Sequence, residues 1–308
     1  MLKMCSPKHK KSDLSFCHAR LPNAGLGNKL FVWAKALAFA RLNQMPLVVT
    51  GWTQFQLAPL LHGGDLRLYL NYFQRVREVD SATQARIRRS APVVLDPPVE
   101  EIYPAAPPTV YEFTQMAHWS DYFGNLKPHR ELIRTSLRTM LTAARRRELA
   151  RVEKPVVALQ VRLGDYRPLK PGEDFATAGN ARTPVNYFRD MIAGIRELHG
   201  SQLRVRIFSD GTRDQLRELL AIPGVFLGPR QSAIVDILLM SESRLLVPSN
   251  STFGFWAVFL GDAPAILHPA HIHTSIRPPE VNGKIYEGPA IGPVAEWPEL
   301  LKQGIRAI

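Results

Sequence analysis

The stretch Val156-Val157-Ala158-Leu159-Gln160-Val161-Arg162-Leu163-Gly164-Asp165-Tyr166 decides how this chain reads. Its first part, apolar except for Gln160, fits a strand buried on both faces. Arg162, Gly164, Asp165 and Tyr166 then supply a polar turn at the strand's carboxyl end. Strand and helix patterns alternate from there onward. Helices are expected over Val185 to Leu198, Arg213 to Ala221, Ile234 to Ser241 and Phe253 to Leu260. Strands are expected at Leu203 to Phe208, Gly224-Val225-Phe226, Arg244 to Val247 and Ala265-Ile266-Leu267. Such alternation indicates parallel βαβ units with helices on both faces of a sheet.

Upstream, Ser15 to Leu21 reads as a strand and Asn23-Ala24-Gly25-Leu26-Gly27-Asn28 as a turn. From Lys29 to Arg41 a stripe of Leu30, Trp33, Ala34, Leu37, Ala38 and Arg41 has the spacing of a helix packed on one face. Pro46 to Val49 is the next strand, so the chain opens on another βαβ unit. The signal weakens after Gly51. Ala91 to Pro108 is a proline-rich loop around a short strand at Val93-Val94-Leu95, and Tyr111 to Phe123 is rich in aromatics. Pro128 to Val152 carries helical spacing that stops before Pro155, which suggests domains over 1–152 and 153–308.

The chain has 308 residues, a length for about two domains of roughly 150 residues each. With 45% hydrophobic and 21% charged residues it excludes a disordered, collagen-like or disulfide-stapled protein. Lys and Arg number 39 against 27 Asp and Glu, a net +12 that favours phosphorylated, polyanionic or membrane-surface partners, or nucleic acid. Cys5 and Cys17, the two cysteines, point to a reducing compartment. Met1 to Lys11 is basic with no apolar segment behind it, and no window reaches the ~18 apolar residues of a membrane span. A cytoplasmic protein is expected.

In open α/β sheets ligands sit beyond the carboxyl ends of the strands. Those ends carry Arg162 to Tyr166, Ser209 to Thr212, Gly228 to Gln231 and Pro248 to Thr252. A guanidinium at 162 is suited to hold a diphosphate, and Asp210 to accept from the ring N–H and amino group of guanine. Ser249-Asn250-Ser251-Thr252, leading into a helix, is suited to an anion. Together these describe a nucleotide-diphosphate pocket. The plainer alternative is an Arg162–Asp165 salt bridge and a helix capped by Ser251 or Thr252.

Five segments, in order, resemble the α-1,2-fucosyltransferases, glycosyltransferase family 11. Gln160-Val161-Arg162-Leu163-Gly164-Asp165-Tyr166 is similar to that family's H-x-R-R-G-D-Y, and Gly25-Leu26-Gly27-Asn28-Lys29-Leu30-Phe31 to G-L-G-N-Q-x-F. Phe208-Ser209-Asp210 matches F-S-D. Asn250-Ser251-Thr252-Phe253-Gly254-Phe255-Trp256 is similar to N-S-T-F-S-W-W, and Trp119-Ser120-Asp121-Tyr122-Phe123 to Q-S-x-x-Y-F.

The resemblance implies an α/β, GT-B-like fold, two Rossmann-like domains facing across a cleft. The first would face the acceptor and the second hold the nucleotide. It implies inverting transfer of L-fucose from GDP-β-L-fucose to a glycan hydroxyl, such as the 2-hydroxyl of a galactose-like residue, with no metal or other cofactor. The acceptor would be an oligosaccharide or a lipid-linked glycan. Arg162, Asp165 and Asn28 would be catalytic. Gly25, Gly27, Gln160, Ser209, Asp210, Asn250, Ser251, Thr252 and Phe253 would line the donor site. Asn28 either faces the donor or caps its helix. Asp165 either orients Arg162 and handles a proton or merely pairs with it. Asp121 is the other carboxylate offered as a base.

The family pattern is broken at Gln160 for His, Leu163 for the second Arg, Gly211 for a second Asp and Lys29 for Gln. These changes bear on donor identity, and a related GDP-6-deoxyhexose fits the same reading. A GDP-sugar-binding module without catalysis is a second reading. A nucleic-acid-binding protein rests on charge alone, with no recognised motif, and no nucleic-acid partner is expected. His268, His271 and His273 read as loop histidines rather than a zinc site. Arg86 to Arg89 and Arg145-Arg146-Arg147 read as solvated helix faces, with peripheral docking on an anionic membrane as the sharper alternative.

Overall fold

The computed structural model describes residues 14–53, 69–74, 78–103, 108–118, 120–271 and 274–308. Cys5, the basic segment Met1 to Lys11, Trp119 and His273 lie outside them. The first half runs β1 (Phe16–Arg20), α1 (Leu26–Leu42), β2 (Leu47–Thr50), α2 (Ser81–Ser90), β3 (Val93–Leu95) and β4 (Val110–Phe113), then α3 (Arg130–Thr139) and α4 (Ala143–Arg151). The second runs β5 (Val157–Val161), α5 (Val185–His199), β6 (Val205–Ser209), α6 (Arg217–Leu220), β7 (Val225–Leu227), α7 (Ala233–Ser241), β8 (Leu245–Pro248), α8 (Thr252–Leu260) and β9 (Ala265–Ile266). It closes with α9 (Pro279–Asn282), β10 (Glu287–Gly288) and α10 (Glu299–Arg306).

These strands form two parallel sheets, ordered β2-β1-β4-β3 and β10-β9-β8-β5-β6-β7. In the second, β5 is central, with Val161 in register with Ser209 and Gln160 with Pro248. All five residues of β5 are buried, as its apolar run predicts. The chain leaves β5 toward β6 on one side and returns to β8 on the other, which opens a crevice at their carboxyl ends.

The stripe on α1 anticipates one buried face, yet the helix is buried nearly all round, including Phe31, Val32, Ala36 and Phe39. It lies between two neighbours. One side covers the first sheet, through Cys17, Ala19, Tyr111 and Phe113, while the other meets α8. Phe31 stands 4.9 Å from the Trp256 ring and 4.9 Å from Phe123. One apolar cluster therefore runs from the first sheet through α1, α7 and α8 to the inner face of the second. A separate cluster under α5 and α10 covers that sheet's outer face. Burial pushes the Cys17 thiol pKa up, and its Sγ donates to the Ala36 carbonyl.

Some expected boundaries shift. Pro128 to Val152 is not one helix: Leu141 leaves α3 to bridge Phe73, and the Thr142 hydroxyl restarts the chain by capping α4 through the Arg145 N–H at 3.3 Å. Within Arg213 to Ala221 only Arg217–Leu220 is α-helical, because Thr212 and Gln215 bond each other's backbone N–H in a preceding turn. β4 sits where the aromatic stretch hides a strand. Its Glu112 is buried and held by His18 at 2.8 Å and Arg20 at 2.9 Å. Arg88 bonds the same carboxylate, so the 86–89 run is not simply solvated.

Candidate active site

The first turns of α1 and α8 meet. Helix α1 begins at Leu26 with Gly25 as its N-cap, so Gly27 and Asn28 lie inside the first turn rather than in a loop, and Asn28 is not the cap. Helix α8 begins at Thr252, and the Ser251 hydroxyl caps it by accepting from the Gly254 N–H at 3.3 Å. Thr252 Oγ1 donates to Asn28 Oδ1 at 3.0 Å, and Trp256 Nε1 donates to the Gly27 carbonyl at 2.8 Å. A Cβ at Gly27 would stand 2.7 Å from Thr252 Oγ1 and 3.1 Å from the Phe253 nitrogen, so only glycine permits this approach. A Cβ at Gly25 would meet nothing within 4 Å. Two helix N-termini, each with unsatisfied N–H groups and a partial positive charge, thus converge.

The far end of α8 is fixed by two arginines that the sequence reading passed over. Arg130 donates to the carbonyls of Phe259 (2.6 Å) and Gly261 (2.8 Å), and Arg277 to those of Val258 (2.8 Å) and Ala263 (2.6 Å). Cations on the last carbonyls complement the helix dipole. Burial lowers the Arg277 pKa to about 10.

Beside α8, the ends of β5 and β8 are laced together. Ser249 donates its N–H to the Gln160 carbonyl at 2.8 Å and to Gln160 Oε1 at 3.0 Å, while its hydroxyl accepts from the Arg162 N–H at 2.9 Å. The Ser251 hydroxyl also donates to Gln160 Oε1, at 3.2 Å. Gln160 thereby orients the Ser249–Ser251 turn, and the Asn250 N–H is held by Thr183 at 3.3 Å. Gly254 stands where the family motif has Ser, and a Cβ there would lie 2.7 Å from Gln160 Oε1.

Arg162 leaves the tip of β5 with its side chain 26% exposed. Nη1 donates to Asp210 Oδ2, and Nη2 to Asp165 Oδ1 at 2.5 Å. The guanidinium also lies 5.5 Å from the centre of the Tyr166 ring. The plain salt bridge from Arg162 to Asp165 is therefore present, and Asp210 shares the same guanidinium. Asp210 is not a free carboxylate, since its Oδ1 accepts from the Leu163 N–H at 2.8 Å while Oδ2 holds Arg162. Ser209 turns inward and accepts from the Gly211 N–H at 3.0 Å. Arg182 braces the 162–166 turn by donating to the carbonyls of Leu163 (3.2 Å) and Tyr166 (2.7 Å). Burial raises the Tyr166 pKa, against the opposing pull of the Arg162 guanidinium. The 120–123 segment packs against both helices, with the Tyr122 ring 5.4 Å from that of Phe31 and 6.1 Å from that of Phe255, and Asp121 accepts from Thr274 at 3.0 Å.

The broken motif positions have local partners. Leu163 is buried in the outer core of the second sheet, and a Cβ at Gly211 would come within 2.3 Å of its Cδ1. Lys29 is buried, donates to the Gly51 carbonyl at 2.5 Å and lies 5.8 Å from the Tyr69 ring centre. Burial lowers its pKa to about 8. His268 packs edge-on against Phe175 and Tyr187, each at 4.7 Å. Among the described residues no group of three or more His, Cys, Asp or Glu is disposed to hold a metal ion. Among them no helix is long and apolar enough to cross a membrane.

The sequence matches the family model described as Glycosyl transferase family 11 over residues 2–268. No curated protein matches the chain in sequence. Among solved structures, the fucosyltransferase NodZ from Bradyrhizobium is similar, with a TM-score of 0.50 and 15% identity over 84% of this chain and 97% of NodZ. POFUT1 in complex with GDP gives a TM-score of 0.48 at 13% identity, covering 84% of this chain and 99% of its own. A GDP complex of Arabidopsis thaliana FUT1 gives 0.47 at 14% identity, covering 88% of this chain and 72% of its own. The α/β fold with two parallel sheets is that of the GT-B-like fucosyltransferases.

Proposed function

The chain belongs to glycosyltransferase family 11, and from that premise we propose that it transfers L-fucose from GDP-β-L-fucose to a glycan hydroxyl. The acceptor group is the 2-hydroxyl of a galactose-like residue, and the transfer inverts the anomeric carbon. Residues 153–308 hold the nucleotide, and 1–152 present the acceptor. The observation that carries this reading is the convergence of the α1 and α8 N-termini beside Arg162 at the tip of β5. Helix N-termini and a guanidinium are the groups that bind a diphosphate.

In the reaction the bond from fucose C1 to the β-phosphate oxygen breaks, and GDP leaves with the electron pair. The acceptor oxygen forms the new bond on the opposite face of C1, and its proton passes to a base or to solvent. Negative charge grows on the β-phosphate as it leaves. Arg162 and the two helix ends supply the opposing charge without a resident metal, and one such contact typically contributes ~10²–10³ in rate. Asp165 and Asp210 pair with Arg162 and neutralise it. Donor binding therefore exchanges a carboxylate for a phosphate on the same guanidinium. Asp165 is suited to orient Arg162, while Gln160 sets the Ser249–Ser251 turn that faces the donor.

Calorimetric titration of GDP-fucose, GDP-mannose, GDP and UDP-galactose in chelator tests the donor. Binding of guanine nucleotides, with GDP-fucose tightest, is expected. A preference for another GDP-sugar reassigns the donor, and no guanine-nucleotide binding overturns the reading. A galactose-terminated oligosaccharide then tests transfer and linkage.

A further inference from the structure

An open groove of about 480 Å³, lined by none of the residues assigned above to the donor, lies between α4 and the loop joining β7 to α7, where Pro229 to Gln231 follow the carboxyl end of β7. Arg145, Arg147, Arg151 and Arg230 line it with one carboxylate, Glu148, leaving a net charge of +3. We propose that this groove binds a phosphate-bearing anion of diphosphate size or larger.

The single carboxylate is already committed. Glu148 accepts from the Ser232 N–H at 2.7 Å and from its hydroxyl at 3.0 Å, at the N-terminus of α7, and Arg145 also bonds it. A carboxylate drawn to a helix N-terminus shows that the local field favours anions. Arg145 keeps its Nε buried with no hydrogen-bond partner. The side chains of Arg147, Arg151 and Arg230 make no ion pair or hydrogen bond among the described residues. Buried Arg206 donates to the Gln231 amide oxygen at 2.6 Å, which leaves the NH2 of this lining residue as a neutral donor. Arginines spread over a solvated face avoid one another. Here three unpaired ones border one concavity, where their repulsion is relieved by a multivalent anion that guanidinium forks match bidentately. The groove's volume exceeds what one phosphate needs, hence the larger class. The same chemistry is offered by a soluble phosphorylated compound and by a lipid headgroup.

The test is calorimetric titration of the full chain with inorganic pyrophosphate, with the donor site filled by saturating GDP. A parallel titration of the Arg162→Ala variant removes any dependence on the donor reading. One pyrophosphate is expected to bind in both, weakening as salt rises. The exposed triple R147Q/R151Q/R230Q should bind about 30-fold or more weakly, while R147K/R151K/R230K retains most of the affinity. The charge-matched control R89Q/R189Q/R213Q should stay within about 2-fold of wild type. Sedimentation with phosphatidylcholine vesicles, with or without phosphatidylglycerol, separates the sources. Recruitment that pyrophosphate competes away supports the site with a headgroup as ligand; pyrophosphate binding without recruitment supports it with a soluble ligand. No pyrophosphate binding in either titration, or an equal loss in the control triple, overturns the proposal.

Discussion

Gly27 and Thr252 touch across the junction of α1 and α8 so closely that a Cβ on the glycine would lie 2.7 Å from the threonine hydroxyl oxygen. The contact sets how near the two helix ends approach, and with it the field at the proposed diphosphate site. Gly27→Ala must push them apart. Loss of about 1–3 kcal/mol of stability is expected from overpacking, and transfer should fall ~10²-fold because misplaced charges no longer meet the leaving group. Gly25→Ala is the matched control, since its Cβ would meet nothing within 4 Å. Thermal melts and transfer assays on the pair test this; a Gly27→Ala enzyme as active as Gly25→Ala would refute it.

Arg162 is held by two carboxylates, and the proposed mechanism hands it to the donor phosphate. Arg162→Ala should keep the fold and lower kcat by ~10²–10³. Arg162→Lys should recover little, because an ammonium cannot span the two carboxylates and then a diphosphate as a fork does. Asp165→Asn should leave donor binding nearly intact while lowering kcat about tenfold or less, through a looser guanidinium. Single-turnover rates with GDP-fucose separate these outcomes.

Much of this arrangement is legible in the sequence. The strands from β5 to β9 read correctly because they are short apolar runs punctuated by turn residues, the pattern of strands buried on both faces. The strand ends then mark Arg162, Asp210 and Ser251. The first half reads poorly for a physical reason. Glu112 breaks the apolar pattern of β4 because Arg20 and Arg88 neutralise it and His18 hydrogen-bonds it inside the fold, and local sequence cannot show partners that distant. The all-round burial of α1 was visible in its composition, with Phe31 and Phe39 off the predicted stripe, yet the stripe alone suggested one face. Arg130 and Arg277 carried no local signal, for they cap carbonyls far away in sequence. The Arg162–Asp210 bond likewise joins residues that neither motif relates to the other.

Leu163 and Gly211 depart from the family pattern together, and in space they adjoin. Arg and Asp at these positions would make a complementary pair, whereas leucine fills the volume that a Cβ at 211 would need. Gly211→Ala should therefore destabilise the chain by about 1–3 kcal/mol, and Leu163→Ala by about 2–5 kcal/mol. The double variant should cost less than the sum, because each change relieves the other. A double-mutant cycle by urea denaturation reads this coupling directly. Strict additivity would show that the two departures are unrelated.

Lys29 replaces the family's Gln and is buried with its pKa lowered to about 8, the cause being loss of water around the ammonium. In the unfolded chain its pKa returns to about 10.4. Between those values the unfolded state binds a proton that the folded state has released, so stability rises with pH across that window. Below about pH 8 both states are protonated, and the folded chain bears the full cost of a buried charge. Relative to Lys29→Gln, which cannot titrate, the wild type should therefore gain about 1–2 kcal/mol between pH 7.5 and 9.5. Comparing the two proteins cancels other groups that titrate in the same range, such as the tyrosines. Urea denaturation at both pH values tests the sign. A difference that stays constant with pH would mean that Lys29 keeps an ordinary pKa, its ammonium solvated through the cleft.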